Sequence, residues 1–179
     1  YFFTTNMGEV LVVFFALMLN LPLPILAAQI LWLNLITDGF LDVALAMEPQ
    51  ESGLLKRKIS SSMYLVDWAI FLKMLYMSLP MAIVSLLVFL YYEPYGIVHA
   101  RTITLVTMAA FQWFNAWNCR SERLSLFQLS PFGNRWLILA TAVVLVLQIF
   151  LLHNPLMQTI FRTEPLTLKE WILVLVVAS

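Results

Sequence analysis

A polytopic bundle of membrane-spanning α-helices is the fold this sequence predicts, on three observations. Hydrophobic residues make up 62% of the chain and charged ones only 11%, roughly half the charged share of an ordinary soluble domain. Several apolar stretches reach the roughly 20 residues a helix needs to cross the hydrocarbon core. Every interruption between them contains proline, mostly with glycine or asparagine nearby, the punctuation of short connections. Repeats and low-complexity tracts are absent, so residues 1–179 read as one membrane domain.

About six transmembrane segments follow in order. The first, 1–20, is apolar except for Asn6 and Glu9, and Leu19-Asn20-Leu21-Pro22-Leu23-Pro24 turns it back, because two prolines cannot continue a helix. The second, 25–47, ends at Glu48-Pro49-Gln50-Glu51-Ser52-Gly53. The third runs over about 70–92 and breaks at Glu93-Pro94-Tyr95-Gly96; the fourth covers 102–118. Ser130-Pro131-Phe132-Gly133-Asn134 precedes the fifth, 136–152, and His153-Asn154-Pro155 follows it. A sixth begins near 168. Both ends lie in apolar sequence without an initiator methionine, so the chain reads as a fragment with its first and last helices truncated.

Orientation follows from the basic residues of the connections. Lys56, Arg57, Lys58, Arg120, Arg123 and Arg135 flank the connections after segments two and four, against Arg101, Arg162 and Lys169 on the other side. The connections after segments two and four are therefore expected in the cytosol, with Lys73 marking the cytosolic start of segment three. A single cysteine, Cys119, excludes an internal disulfide, and with only His99 and His153 beside it there is no Cys/His cluster of zinc-site spacing. The formal net charge is zero, and nothing points to nucleic acid.

The chemistry lies in the oxygen-bearing side chains of the first two segments. Asn6 and Glu9 are spaced i, i+3; Asn34, Thr37 and Asp38 are spaced i, i+3, i+4; each set occupies one helix face. At 1.5 Å per residue both Glu9 and Asp38 lie roughly 20 Å from the proline turn, so the two carboxylates are expected at similar depth, facing each other. A carboxylate at mid-membrane costs about 3 kcal/mol or more, and no Lys or Arg lies at matching depth in segments one to five. A cation is the remaining partner. Gly39, beside these ligands, lets the helix loosen and free carbonyl oxygens where they are buried or bind something.

The ligand set is all oxygen. Hard oxygen donors suit calcium, which takes about 6–8 flexible ligands, better than magnesium, which keeps its waters; sodium and potassium satisfy the same chemistry. Other readings stand beside this one. Asn34 or Thr37 alone could simply hydrogen-bond across helices, and either acid could sit protonated and inert. Gln112, with Asn115 and Asn118 on one face of segment four, is either a further ligand or a packing residue. Asp42, one turn beyond Asp38, either lines an access path or is merely hydrated.

The pieces TTNMGEV (Thr4 to Val10), LPLP and QILWLNLITDG (Gln29 to Gly39) resemble the calcium-pumping P-type ATPases of the sarco/endoplasmic reticulum type, at their fifth and sixth membrane helices. Weaker similarity runs on through the tenth. The resemblance implies the C-terminal half of a membrane domain, family helices five to ten. By match it nominates Asn6, Glu9, Asn34, Thr37 and Asp38 as calcium ligands, with Asp38 bridging two ions where two are bound. Sodium–potassium pumps are similar but carry an acid at the place of Asn34, which argues for calcium.

Three positions depart from that pattern. Gln112 stands where reticulum-type pumps have a glutamate, as in plasma-membrane-type calcium pumps; Leu41-Asp42 replaces Pro-Ala after the T-D-G motif; and the connection between segments three and four is very short, which suggests a bacterial or compact member. The implied function is export of Ca2+ from the cytosol by an ATP-driven pump, with protons neutralising the emptied acids. ATP and Mg2+ would act in cytosolic domains outside this chain, which carries no D-K-T-G-T motif and is not catalytic alone. The implied partners are the lipid bilayer, the N-terminal membrane helices, including a fourth helix with a further acidic ligand, and the phosphorylation domain, which residues 48–58 would contact. The implied location is a bacterial plasma membrane. A passive channel or secondary transporter would use the same buried acids; an upstream aspartyl-phosphate motif discriminates.

Overall fold

The computed structural model describes residues 1–48, 68–120 and 133–179, and within these every regular element is helical. Helix α1 is Phe2–Met18. The second segment consists of α2 (Ala27–Trp32), a π-helical turn (Leu33–Asp38) and α3 (Gly39–Ala46), continuous over its 20 residues. Then come α4 (Trp68–Tyr92), a 3-10 turn (Glu93–Tyr95), α5 (Ile97–Asn118), α6 (Arg135–His153), α7 (Pro155–Phe161) and α8 (Leu168–Ala178).

By length and composition the second segment, α4 with its 3-10 turn, and α6 can each cross a membrane; α1 is a shorter apolar helix. Helix α5 is long enough at 22 residues but forms the interior, packing against α4, α8 and the π-turn. Beside an apolar core, several polar side chains are buried and many large apolar ones are exposed, unlike a water-soluble protein. Thr5, Asp38, Ser85, Thr104, Gln112 and Gln148 are fully buried, while Phe3, Phe14, Leu35, Val43, Leu139 and Val146 are exposed. Large apolar side chains exposed in such number suit a lipid solvent better than water.

Three boundaries differ from expectation for local reasons. Helix α5 starts five residues before 102, directly after Gly96, whose φ of +143° suits glycine and reverses the chain. His153-Asn154-Pro155 is a helix junction: Asn154 accepts from the amides of Leu156 and Met157, and proline at the first helical position opens α7. The π-turn ends just before Gly39, which has ordinary right-handed helical angles, so the loosening lies N-terminal to that glycine. The breaks at 49–53 and 130–132, with Lys56, Arg57, Lys58 and Arg123, lie outside the described residues.

Two anchors fix the segments. At one end, Trp32 donates from its indole to Gln148 of α6 (2.9 Å), and Gln29 donates to the Phe161 carbonyl of α7 (3.0 Å). At the other, Asn134 caps α6 by accepting from the Leu137 amide (3.0 Å), and its own amide donates to the Ala44 carbonyl (2.9 Å) and to Glu48 (2.6 Å). One side chain thus closes the start of one helix and the end of another. Asn134→Ala is expected to destabilise the bundle by about 2 kcal/mol, since it removes a cap and the bonds to the Ala44 carbonyl and Glu48 together; a thermal unfolding series in detergent measures it.

Candidate cation-binding site

Tyr1, the N-cap of α1, and Thr5 and Glu9 within it stand at successive i+4 positions, one stripe facing the second segment. Asp38 is fully buried and accepts two hydroxyl hydrogens, Tyr1 Oη on Oδ1 (2.7 Å) and Thr5 Oγ1 on Oδ2 (2.8 Å). Glu9, 4% exposed, accepts two amide hydrogens, Asn34 Nδ2 on Oε2 (2.9 Å) and Gln112 Nε2 on Oε1 (3.0 Å). Three elements therefore converge on Glu9: α1, the π-turn and α5.

The expected juxtaposition needs one correction. Thr5 opposes Asp38 and Glu9 opposes Asn34, so the carboxylates are staggered by one helical turn, about 6 Å along the axis, rather than level and face to face. The turn between the segments is asymmetric: α1 stops at Met18, Asn20 takes a positive φ, and α2 begins only at Ala27. Counting rise from the prolines misplaces the depth accordingly.

Of the six nominated residues, Glu9, Asn34 and Gln112 are joined directly by hydrogen bonds. Asp38 is tied to the same face of α1. Asn6 donates to the Phe2 carbonyl one turn back on its own helix (2.9 Å). Thr37 is fully buried and its hydroxyl has no hydrogen-bond partner, nor has Gln112 Oε1. Unpaired buried oxygens are costly; Gln112 Oε1 belongs to the amide that donates to Glu9, and no described Lys or Arg is hydrogen-bonded to either carboxylate. Hard oxygens are the donor type that a Ca2+-type cation takes up, and here both carboxylates are occupied by hydrogen donors. Asp42 is half-buried beyond Asp38.

Sequence reasoning missed Tyr1 and Thr5. The i+4 series 1, 5, 9 carries the signal, but a tyrosine and a threonine in an apolar helix stand out less than an acid. It also missed Glu48, Arg120 and Asn134, which meet across more than 70 residues of chain.

Comparison with known proteins bears on this geometry. Residues 22–179 match the family described as cation transporting ATPase, C-terminus. A calcium-transporting ATPase of Bacillus subtilis (strain 168) is 33% identical over 98% of this chain and 20% of its own length. A probable cation-transporting ATPase F of Mycobacterium bovis is 32% identical over 98% and 20%. Calcium-transporting ATPase 4, endoplasmic reticulum-type, of Arabidopsis thaliana is 26% identical over 99% and 22%. The chain spans about a fifth of the length of these relatives.

Proposed function

This chain belongs to the family of cation-transporting ATPase C-terminal regions, and from that premise we propose that it is the ion-binding and translocation part of an ATP-driven pump that exports Ca2+ from the cytosol. The observation that carries the reading is the pair of buried carboxylates, Glu9 and Asp38, with Asn34 and Gln112 bonded to Glu9 and an unpartnered Thr37 hydroxyl in the same turn as Asp38. Two carboxylates balance one divalent charge without a basic side chain. The names of the Bacillus and Arabidopsis relatives favour calcium over other cations.

In this mechanism a partly dehydrated ion exchanges its water for oxygens of Glu9, Asp38, Asn34, Thr37, Asn6 and Gln112. The donors that now cap the acids must turn away: Thr5 can redirect its single hydroxyl hydrogen to the Phe2 carbonyl at 2.9 Å, and an amide rotation lets Gln112 offer Oε1. Phosphorylation, with ATP and Mg2+, belongs to cytosolic parts outside these 179 residues and shifts the helices so that the site opens outward. Protons then neutralise the emptied carboxylates on the return step. A bacterial plasma membrane is the proposed setting, supported by the Bacillus and Mycobacterium relatives.

The test is ATP hydrolysis and phosphoenzyme formation by the full-length protein across Ca2+, Mn2+, Na+ and K+. Activation by micromolar Ca2+ is expected. Activation by a monovalent ion with no response to Ca2+ would overturn the choice of cation, and no response to any ion would overturn the pump.

A further inference from the structure

Away from the candidate site, one polar cluster is built to a standard that packing alone does not require. Arg120, just past the end of α5, sends Nε to both oxygens of Glu48 (3.1 and 3.2 Å) and an Nη to Oε1 (2.9 Å). Its side chain is 2% exposed and that of Glu48 20%. The guanidinium lies 5.6 Å from the centre of the Trp117 ring, and a Cβ on Gly133 would stand 3.0 Å from it. Asn134 completes the shell of Glu48.

A buried ion pair is seldom more stable than well-packed apolar residues of the same volume. What it supplies is direction, since a guanidinium fork meets a carboxylate in one fixed geometry. Here the fork joins the two elements already linked at the candidate site, the second segment and α5. Asp38 lies ten residues before Glu48 and Gln112 eight before Arg120, about 15 and 12 Å along their helices.

We propose that Arg120 is a positioning residue for cation binding: by gripping Glu48 it fixes the C-terminal end of the second segment against α5, and so holds Asn34 and Asp38 in register with Gln112. The inference rests on the function proposed above and deepens it. Rotation or sliding of the second segment is resisted at two points, the ion site and this clasp. Loosening the clasp weakens ion binding at a distance while leaving the ligands intact.

The experiment is the calcium-activation curve of ATP hydrolysis by the full-length protein in vesicles. Arg120→Met and Glu48→Gln are each expected to raise the half-activating calcium concentration about three- to tenfold, with the maximal rate within twofold of wild type. Arg120→Lys, which keeps the charge and loses the fork, falls between. The double variant shifts no further than the worse single one, because both remove the same contact. If Arg120→Met fails to fold, Glu48→Gln and Arg120→Lys carry the test. An unchanged half-activating concentration, or a reduced maximal rate alone, marks a merely structural pair and overturns the proposal; so do additive single shifts. A wild-type protein that calcium does not activate overturns the functional reading and this inference together.

Discussion

Full-length protein carrying Asp38→Asn is expected to lose calcium-activated phosphorylation, with apparent affinity down by more than about 100-fold, since outer-shell partners alone cost 10–100-fold in metal sites. Glu9→Gln should do the same. Both changes remove a charge with almost no change of shape, and the surrounding groups can absorb them. In Asp38→Asn the new amide donates to Thr5, which turns its own hydrogen to the Phe2 carbonyl, 2.9 Å away. In Glu9→Gln, rotation of the Gln112 amide presents Oε1, which has no partner in the structure. Unfolding midpoints in detergent should therefore move by only a few degrees while phosphorylation from ATP and calcium uptake disappear. Normal uptake by the double variant would sink the assignment of these acids as ligands.

Gly8 provides the second large effect. A Cβ there would lie 2.6 Å from Met81 Sδ, and 3.3 Å from the two flanking carbons, so α1 and α4 meet at a point where only hydrogen fits. Small residues at such crossings are how membrane helices approach closely. Met81 is 4% exposed, yet its thioether is adaptable, so Gly8→Ala should be tolerated at modest cost. Gly8→Val should not be: overpacking of this kind costs about 1–3 kcal/mol. Because Glu9 is the next residue, the same wedge displaces a ligand and should weaken calcium activation. Pairing Gly8→Val with Met81→Ala should recover most of both losses, measured as a coupling in unfolding and in the activation curve. Independent, additive effects would mean that the two helices do not meet there.

The helical class and the positions of the segments were legible because long apolar runs and proline breaks are local signals. The ligand candidates were legible because i, i+3 and i+4 spacing is local too. The stagger between Glu9 and Asp38 was not, since it depends on where the turn between Met18 and Ala27 lets the second helix begin. Arg120 read as a marker of sidedness, when its position is set by a carboxylate 72 residues away. Nothing periodic in the chain announces such a pair. The early start of α5 was hidden because His99 and Arg101 look like loop residues, although one faces Glu170 at 2.7 Å and the other the Leu23 carbonyl at 2.9 Å.

The widened turn at Leu33–Asp38 holds one residue more than the helices on either side of it can accommodate. A surplus residue sets the phase: against an uninterrupted helix it rotates the downstream half by about 100° and alters the reach by about 1.5 Å. The rod bearing Asn34 and Asp38 thus carries a built-in offset that decides which faces its two halves present. With Trp32 held by Gln148 on one side of it and the Ala44 carbonyl by Asn134 on the other, that offset is locked in place.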